Sequence, residues 1–308
     1  MPGPHPAVAA IRSAVRPFVA APVVVACSGG ADSLAVAAAV AFETTGAALV
    51  TVDHGLQPGS DVQAARVAAI GYDLGFDPVE VIRVEVARAG GREAAARTAR
   101  YAALSGVAAA LDRDVLLGHT LDDQAETVLL GLGRGSGPRS ISGMRARTGR
   151  YCRPLLGIRR ETTEAACHAL GLDYWDDPHN ADRSLQRVRL RREVLPLLED
   201  VLQGGVAEAL ARTAAQLQYD DDALTARAAG SSTPDTSELA ALPRAVRTRV
   251  LRALALAAGA TEVTAEHVER MDALVMRWHG QGGMRLPGGA GVRRVSGRLV
   301  FESPNPGS

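Results

Sequence analysis

Apolar positions in the first half of the chain follow two alternating rhythms. Val8, Ile11, Val15 and Phe18 recur at helical spacing and predict a short amphipathic helix over 7–20. Val23-Val24-Val25-Ala26 is a β-branched run that predicts a buried strand, and the alanine- and valine-rich stretch from Asp32 to about Thr44 predicts a helix behind it. The alternation continues with strands at 47–52, 79–84 and 114–118 and helices at about 60–75, 92–111 and 121–132. It implies a parallel sheet covered on both faces. Right-handed crossovers followed by a reversal past the first strand would make the first and fourth strands neighbours.

Beyond residue 150 the rhythm loosens. An extended stretch at 151–156, a helix at about 159–170, turn chemistry at Trp175-Asp176-Asp177-Pro178-His179-Asn180 and a helix at about 185–202 are predicted. Past 196 come alanine-leucine helices. They are interrupted by Gly230-Ser231-Ser232-Thr233-Pro234-Asp235, which by composition reads as a flexible linker. Helices at about 237–258 and 264–279 follow, and the glycines and alternation of 282–301 predict a small hairpin. The expected architecture is α/β: a doubly wound, mostly parallel sheet over 1–195, then a smaller, mainly helical domain over 196–308 ending in a β-hairpin. With 308 residues, 47% of them hydrophobic, the chain can bury such cores.

Composition narrows the chemistry. No apolar run reaches membrane-spanning length and the N-terminus lacks the form of a signal peptide, so a cytoplasmic address is expected. Cys27, Cys152 and Cys167 are odd in number and widely spaced, which suggests buried thiols rather than a disulfide framework or a CxxC site. Formal net charge is zero and all 34 basic residues are arginine, which excludes a lysine nucleophile or Schiff base. The arginines are grouped. Arg183, Arg187, Arg189, Arg191 and Arg192 open a predicted helix, where the macrodipole disfavours cations, so either nearby anions or a salt-bridged face must compensate. Arg244, Arg247, Arg252, Arg285, Arg293, Arg294 and Arg298 could extend a basic face for RNA, or be ordinary surface charge.

Candidate chemistry collects where predicted strands end. Ser28-Gly29-Gly30-Ala31-Asp32-Ser33 is a glycine turn between strand and helix, offering close backbone approach, two hydroxyls and a carboxylate at a helix start suited to phosphate. It is not a Walker loop, which needs a lysine. Asp53 and His54 end the second strand and read either as ligand groups or as a cap and turn. Glu93, Arg97 and Arg100 share one helical face, as a surface ion pair would also require. Gly118-His119-Thr120-Leu121-Asp122-Asp123-Gln124-Ala125-Glu126-Thr127 places a histidine and three carboxylates at the fourth strand's end. Capping explains carboxylates in a first turn, but like charges gathered on one face point to a Mg²⁺ or ammonium site. The run 131–139, dense in glycine, cannot be a helix interior and is either a flexible connector or an arginine-bearing loop for an anionic partner.

The S-G-G-x-D-S pattern resembles the pyrophosphate (PP) loop of N-type ATP pyrophosphatases. Taken with Val52-Asp53-His54-Gly55-Leu56, Glu93 to Arg97 with Arg100-Tyr101, Gly118 to Thr127, Arg134-Gly135-Ser136-Gly137 and Arg153-Pro154-Leu155-Leu156, it resembles the tRNA(Ile)-lysidine synthetase family over about residues 20–200. The resemblance implies ATP and Mg²⁺ as cofactors and, as partners, L-lysine and a tRNA(Ile) with a CAU anticodon. It implies no membrane; a homodimer is left open. The implied reaction adenylates the wobble cytidine and then ligates lysine at C2. Ser28, Gly29, Gly30, Ala31, Asp32, Ser33, Asp53, His54, Arg100 and Gly118 would bind ATP. Asp32 and Asp123 would hold the metal, Asp32, Asp123, Glu126 and His119 would be catalytic, and Asp122, Glu126, Arg134, Arg187 and Arg191 would bind substrate. The chain departs from the family pattern at Thr120, His179 and Val188, where histidine, serine and asparagine are common. A PP-loop tRNA thiolase and a non-catalytic nucleotide- or RNA-binding module are the alternatives.

Overall fold

The computed structural model describes residues 3–55, 57, 59–85, 92–135, 137–177 and 182–304, of 92 and 93 the backbone only. Expectations for Leu56, the Glu93 side chain, Ser136, Pro178, His179 and Asn180 lie outside the described residues. The elements are α1 (Pro6–Val15), β1 (Val24–Ala26), α2 (Ala31–Glu43), β2 (Ala48–Asp53), α3 (Ser60–Asp73), β3 (Val79–Arg83), α4 (Arg92–Leu111), β4 (Val115–Leu117) and α5 (Leu121–Arg134). Then come α6 (Pro138–Ile141), β5 (Arg147–Thr148), β6 (Tyr151–Cys152), α7 (Arg160–Ala169), α8 (Gln186–Arg189), a π turn at Leu190–Val194, α9 (Leu195–Val201) and α10 (Val206–Ala229). The chain ends in α11 (Thr236–Ala241), α12 (Arg244–Ala257), α13 (Ala265–Met276), β7 (Met284–Arg285), β8 (Gly291–Val295) and β9 (Arg298–Glu302).

Two compact units result: 1–129 with 143–212, and 130–142 with 213–308. The first is built on a six-stranded sheet of order β3-β2-β1-β4-β6-β5, parallel except for β5 at one edge. Val24 pairs with Ala48 on one side and Val115 on the other, so β1 is central and the expected β1–β4 neighbourhood is present. Period-two alternation sends successive β1 side chains to opposite faces. Val25 joins Ile11, Leu34, Val40 and Leu155 in one core, while Val24 joins Leu104, Val107 and Val115 in the other. The topology reverses at β1, so the carboxyl ends of β1, β2 and β4 open onto one crevice, where such sheets bind ligands.

The second unit has its own core, including Leu239, Leu251, Met271, Val292 and Leu299. Four local expectations are corrected. Gly131 and Gly133 lie inside α5, and Gly131 is needed there because a Cβ would run into the Ser140 carbonyl. The segment before α11 is no free linker: Pro234 O accepts from Leu299 N–H, and Asp235 caps α11. The helix expected at 237–258 breaks at Leu242, held extended ahead of Pro243. The terminal hairpin is a three-stranded sheet, β7-β8-β9. In the first unit the helix expected at 185–202 forms, but Pro196 cannot donate within it, and the π turn before it absorbs the mismatch.

Candidate functional site

The glycine turn after β1 feeds α2, and Gly30 at the N-cap supplies no side chain to the first-turn N–H groups. Those donors are free for an anion and carry the positive end of the macrodipole. Gly29 adopts φ +86°, and a Cβ there would meet Gln63 at 2.6 Å. Ser33 braces the loop from within: its hydroxyl donates to Gly30 O at 3.0 Å and accepts from Ser28 N–H at 3.1 Å. Gly118, at the end of β4, lies against the same turn; a Cβ would be 2.9 Å from the Asp32 carbonyl and Ser33 nitrogen. Its role in the structure is therefore close packing of backbone on the loop.

A cavity of about 510 Å³ opens beside the loop, lined by Ser28, Asp53, His54 and Arg100 together with Gln57, Gln63, Arg97, Trp175, Asp177 and Asp182. Burial alone would raise the Asp53 carboxyl, but the Ser60 hydroxyl, the Gly55 N–H and Arg83 outweigh it and hold the group below the usual carboxylate range. Burial and the Arg100 charge push His54 down, so its imidazole is neutral at pH 7, with Nδ1 buried and lacking a hydrogen-bond partner. The cavity is lined mostly by polar and charged side chains, with Val52, Ala64, Ala96, Trp175 and Leu185 as its apolar part, and its size suits a polar small molecule.

On the other side of the loop a chain of alternating charges links α2, α5, α7, α8 and the π turn. Arg160 Nη2, from the first residue of α7, lies 3.2 Å from Asp32 Oδ2 and 2.9 Å from Asp123 Oδ1. Arg191 reaches Asp123 Oδ1 at 3.3 Å and Glu126 Oε1 at 2.7 Å, and Arg187 lies 3.5 Å from Glu126 Oε2. Thr163 donates its hydroxyl to Asp32 Oδ1 at 2.5 Å. Glu126 is fully buried. Burial raises Asp32 to about 6 against the pull of Arg160 and Thr163, and raises Glu126 despite Arg191. For Asp123 the burial cost is overcome by Arg160, the Thr120 N–H, His119 and Arg191, and the group is held low. Burial, helped by the arginines around it, drops His119 to about 4. Its imidazole is thus neutral at pH 7, a form able both to donate and to accept a proton.

The structure brings most of the expected residues together and changes what some of them touch. The anions that the arginine helix requires are the protein's own: Glu126 and Asp123 for Arg191, Glu126 for Arg187. Asp122 accepts from the Arg160 N–H at 2.8 Å and lies 3.6 Å from Arg159 Nη1. Arg134 ends α5 in the second unit. In that unit five of the seven arginines expected to face RNA have partners within the chain: Arg244 pairs with Glu269 at 3.5 Å, Arg247 with Asp272 at 2.6 Å, Arg293 with Glu302 at 2.7 Å, Arg252 with the Val263 carbonyl, and Arg294 with the last carbonyls of α13. Arg160, Thr163 and Trp175 are the site residues missed. The Arg159-Arg160 pair at a predicted helix start carried the same dipole conflict as the 183–192 cluster, and that signal could have found it.

As a metal centre, no three His, Cys, Asp or Glu side chains gather among the described residues. Asp32 and Asp123 nevertheless converge on one point, where the Arg160 nitrogen stands. Two hard oxygen donors fit Mg²⁺, which commonly takes one or two carboxylates and completes its shell with phosphates and water. The cysteines fit no thiolate chemistry. All three are buried, and burial pushes their thiols up, Cys167 to about 12. No helix among the described residues is long and apolar enough to cross a membrane.

The chain is similar to known proteins along most of its length. A family model described as a PP-loop domain matches residues 5–198, and one described as the TilS substrate binding domain matches 235–300. The chain is 52% identical to the tRNA(Ile)-lysidine synthase of Thermobifida fusca, over 98% of this chain and 100% of that protein. It is 51% identical to that of Streptomyces coelicolor (97% and 99%) and 55% identical to that of Mycobacterium tuberculosis (88% and 86%). Among solved structures it is similar in fold to the U34-tRNA thiolase NcsA from Methanococcus maripaludis, described with its [4Fe-4S] cluster. That match has a TM-score of 0.55 and 18% identity, covering 68% of this chain and 78% of that one.

Proposed function

The chain belongs to the tRNA(Ile)-lysidine synthase family, and from that premise we propose that it ligates L-lysine to C2 of the wobble cytidine in a CAU-anticodon tRNA(Ile). The observation that carries the reading beyond the family is the pairing of a phosphate-type loop with a buried carboxylate crevice at adjacent strand ends. In the proposed first half-reaction the cytidine C2 oxygen attacks the α-phosphate of ATP and pyrophosphate leaves. In the second, the lysine ε-amine adds at C2, AMP departs with the former C2 oxygen, and the amine gives up a proton.

Each need has residues suited to it. The open first turn of α2 and the Ser28 hydroxyl offer donors to the leaving pyrophosphate. Asp53, His54 and Arg100 line a cavity sized for the nucleoside part of ATP. Asp32 and Asp123 would hold Mg²⁺, which when bound neutralises phosphate charge. Glu126 offers a carboxylate toward an ammonium group, and because burial raises its carboxyl it is better matched to receive a proton than Asp123, which is held low. Buried thiols with raised pKa disfavour the thiolase alternative.

The deciding assay is AMP release with and without lysine on transcripts of tRNA(Ile) and methionine tRNA carrying CAU. AMP release and lysine incorporation with tRNA(Ile) alone are expected. Lysine-independent turnover would favour a thiolase, and no AMP release would favour a binding module. Asp123→Ala is expected to lower turnover by about a hundredfold or more; an unimpaired variant would refute its central role.

A further inference from the structure

Arg160 enters the acidic crevice by a single nitrogen. Its Nη2 serves Asp123 Oδ1 at 2.9 Å and Asp32 Oδ2 at 3.2 Å, while its Nε is buried with no hydrogen-bond partner. A guanidinium is at its strongest as a planar fork with two nitrogens engaged. Arg191 comes closer to that use, giving Nε to Glu126 at 2.7 Å and Nη2 to Asp123 at 3.3 Å. Arg160 instead acts as a point charge between two carboxylates, a task that a small divalent cation performs better.

The backbone at Arg160 is anchored independently of this contact. Its N–H donates to Asp122 Oδ2 at 2.8 Å, and the turn before it is tied to α5 by Leu121 N–H donating to Ile158 O at 2.9 Å. The long side chain can therefore leave the crevice while the start of α7 stays in place. What it leaves behind is two largely buried carboxylates that repel each other across the vacated point; Asp123 keeps Arg191 and Asp32 keeps the Thr163 hydroxyl, but neither supplies a positive charge between the pair, which favours another cation there.

We infer that Arg160 is a resident counter-cation: a positioning residue that holds Asp32 and Asp123 at one point in the nucleotide-free protein and yields that point to a divalent cation. The inference rests on the reading of Asp32 and Asp123 as the metal-holding pair. It makes metal binding a displacement, so that the bare protein binds divalent ions weakly and the point between Asp32 and Asp123 is held by one cation or the other.

The test titrates the nucleotide-free full chain with Mn²⁺ and reads free Mn²⁺ by electron paramagnetic resonance. Arg160→Gln is expected to bind Mn²⁺ about tenfold more tightly than wild type, by removal of the competing charge. Arg160→Lys, which keeps a cation, should stay near wild type. Arg191→Gln removes an equal charge from beside Asp123 and should tighten binding less. Arg160→Gln binding no tighter than wild type, or Arg191→Gln matching it, overturns the inference. A measurement on the unaltered chain guards against a variant that fails to fold: saturating Mn²⁺ should speed phenylglyoxal modification of Arg160, read by peptide mass spectrometry, and an unchanged rate overturns the inference. Asp32→Asn and Asp123→Asn separate the two layers. Mn²⁺ binding that survives both refutes the metal reading itself. Binding lost in both, with Arg160→Gln indistinguishable from wild type, refutes only the role of Arg160.

Discussion

Gly118 shows how one missing methyl can govern the site. It meets the backbone of Asp32 and Ser33, and backbone cannot rotate away as a side chain could. Gly118→Ala is expected to cost about 1–3 kcal/mol, as overpacking does, and to weaken ATP binding because the strain falls on the phosphate loop. Denaturant midpoints and a nucleotide titration check both effects; a variant with unchanged ATP affinity would show that the loop tolerates the shift. Much at this scale was legible in the sequence. Glycines, serines and carboxylates at strand ends announce themselves because their neighbours in the chain are also their neighbours in the site. Thr163 did not, since it reaches Asp32 across 131 positions. Trp175 reaches the loop by donating its N–H to Gly29 O, a contact that no local pattern encodes.

At the scale of elements, α1 and α2 are latched by Glu43, which accepts from Arg12 at 2.7 Å and Arg16 at 2.9 Å. The hydrogen bonds from Arg16 and then Arg12 lower its carboxyl to about 2. A carboxyl with a depressed folded pKa stabilises fully above its unfolded value, near 4.5, and loses that contribution as pH falls toward about 2. Thermal midpoints should therefore fall over this window more steeply in wild type than in Glu43→Gln, with the variant less stable at pH 7 and the two curves converging in acid. Parallel curves would mean that the latch contributes nothing. α5 offers a second contrast. Gly131 faces the Ser140 carbonyl and Gly133 faces nothing within 4 Å, although both sit in one helix. Gly131→Ala should destabilise by about 1–3 kcal/mol, whereas Gly133→Ala should stabilise by up to about 1 kcal/mol through helix propensity. Melting temperatures moving in opposite directions would confirm it. The sequence misled here because glycine density reads as a loop, and only the packing of α6 explains a glycine inside a helix.

Across the whole molecule, the parallel sheet was legible because its strands and helices alternate in sequence, but the grouping of the chain was not. Composition changes near residue 196, yet the second compact unit takes 130–142 from the end of α5 and α6 and resumes at 213. Charge fixes that early segment. Asp221 in α10 accepts from Arg139 Nε at 3.0 Å and from Arg249 Nη2 at 2.7 Å. Arg249 is mostly buried, and its Nε already lacks a partner. Asp221→Asn would leave it beside a second cation with no carboxylate between them. The cost should be about 2–3 kcal/mol, below that of a fully buried pair because Arg139 is 44% exposed. The loss should also be regional. Amide exchange in 138–142 and in the facing turns of α10 should quicken, while the β1 amides at Val24–Ala26, which belong to the other unit, keep their protection. Equal loss in both places would show that the chain unfolds as one cooperative body, and that the early segment is held by more than this charge pair.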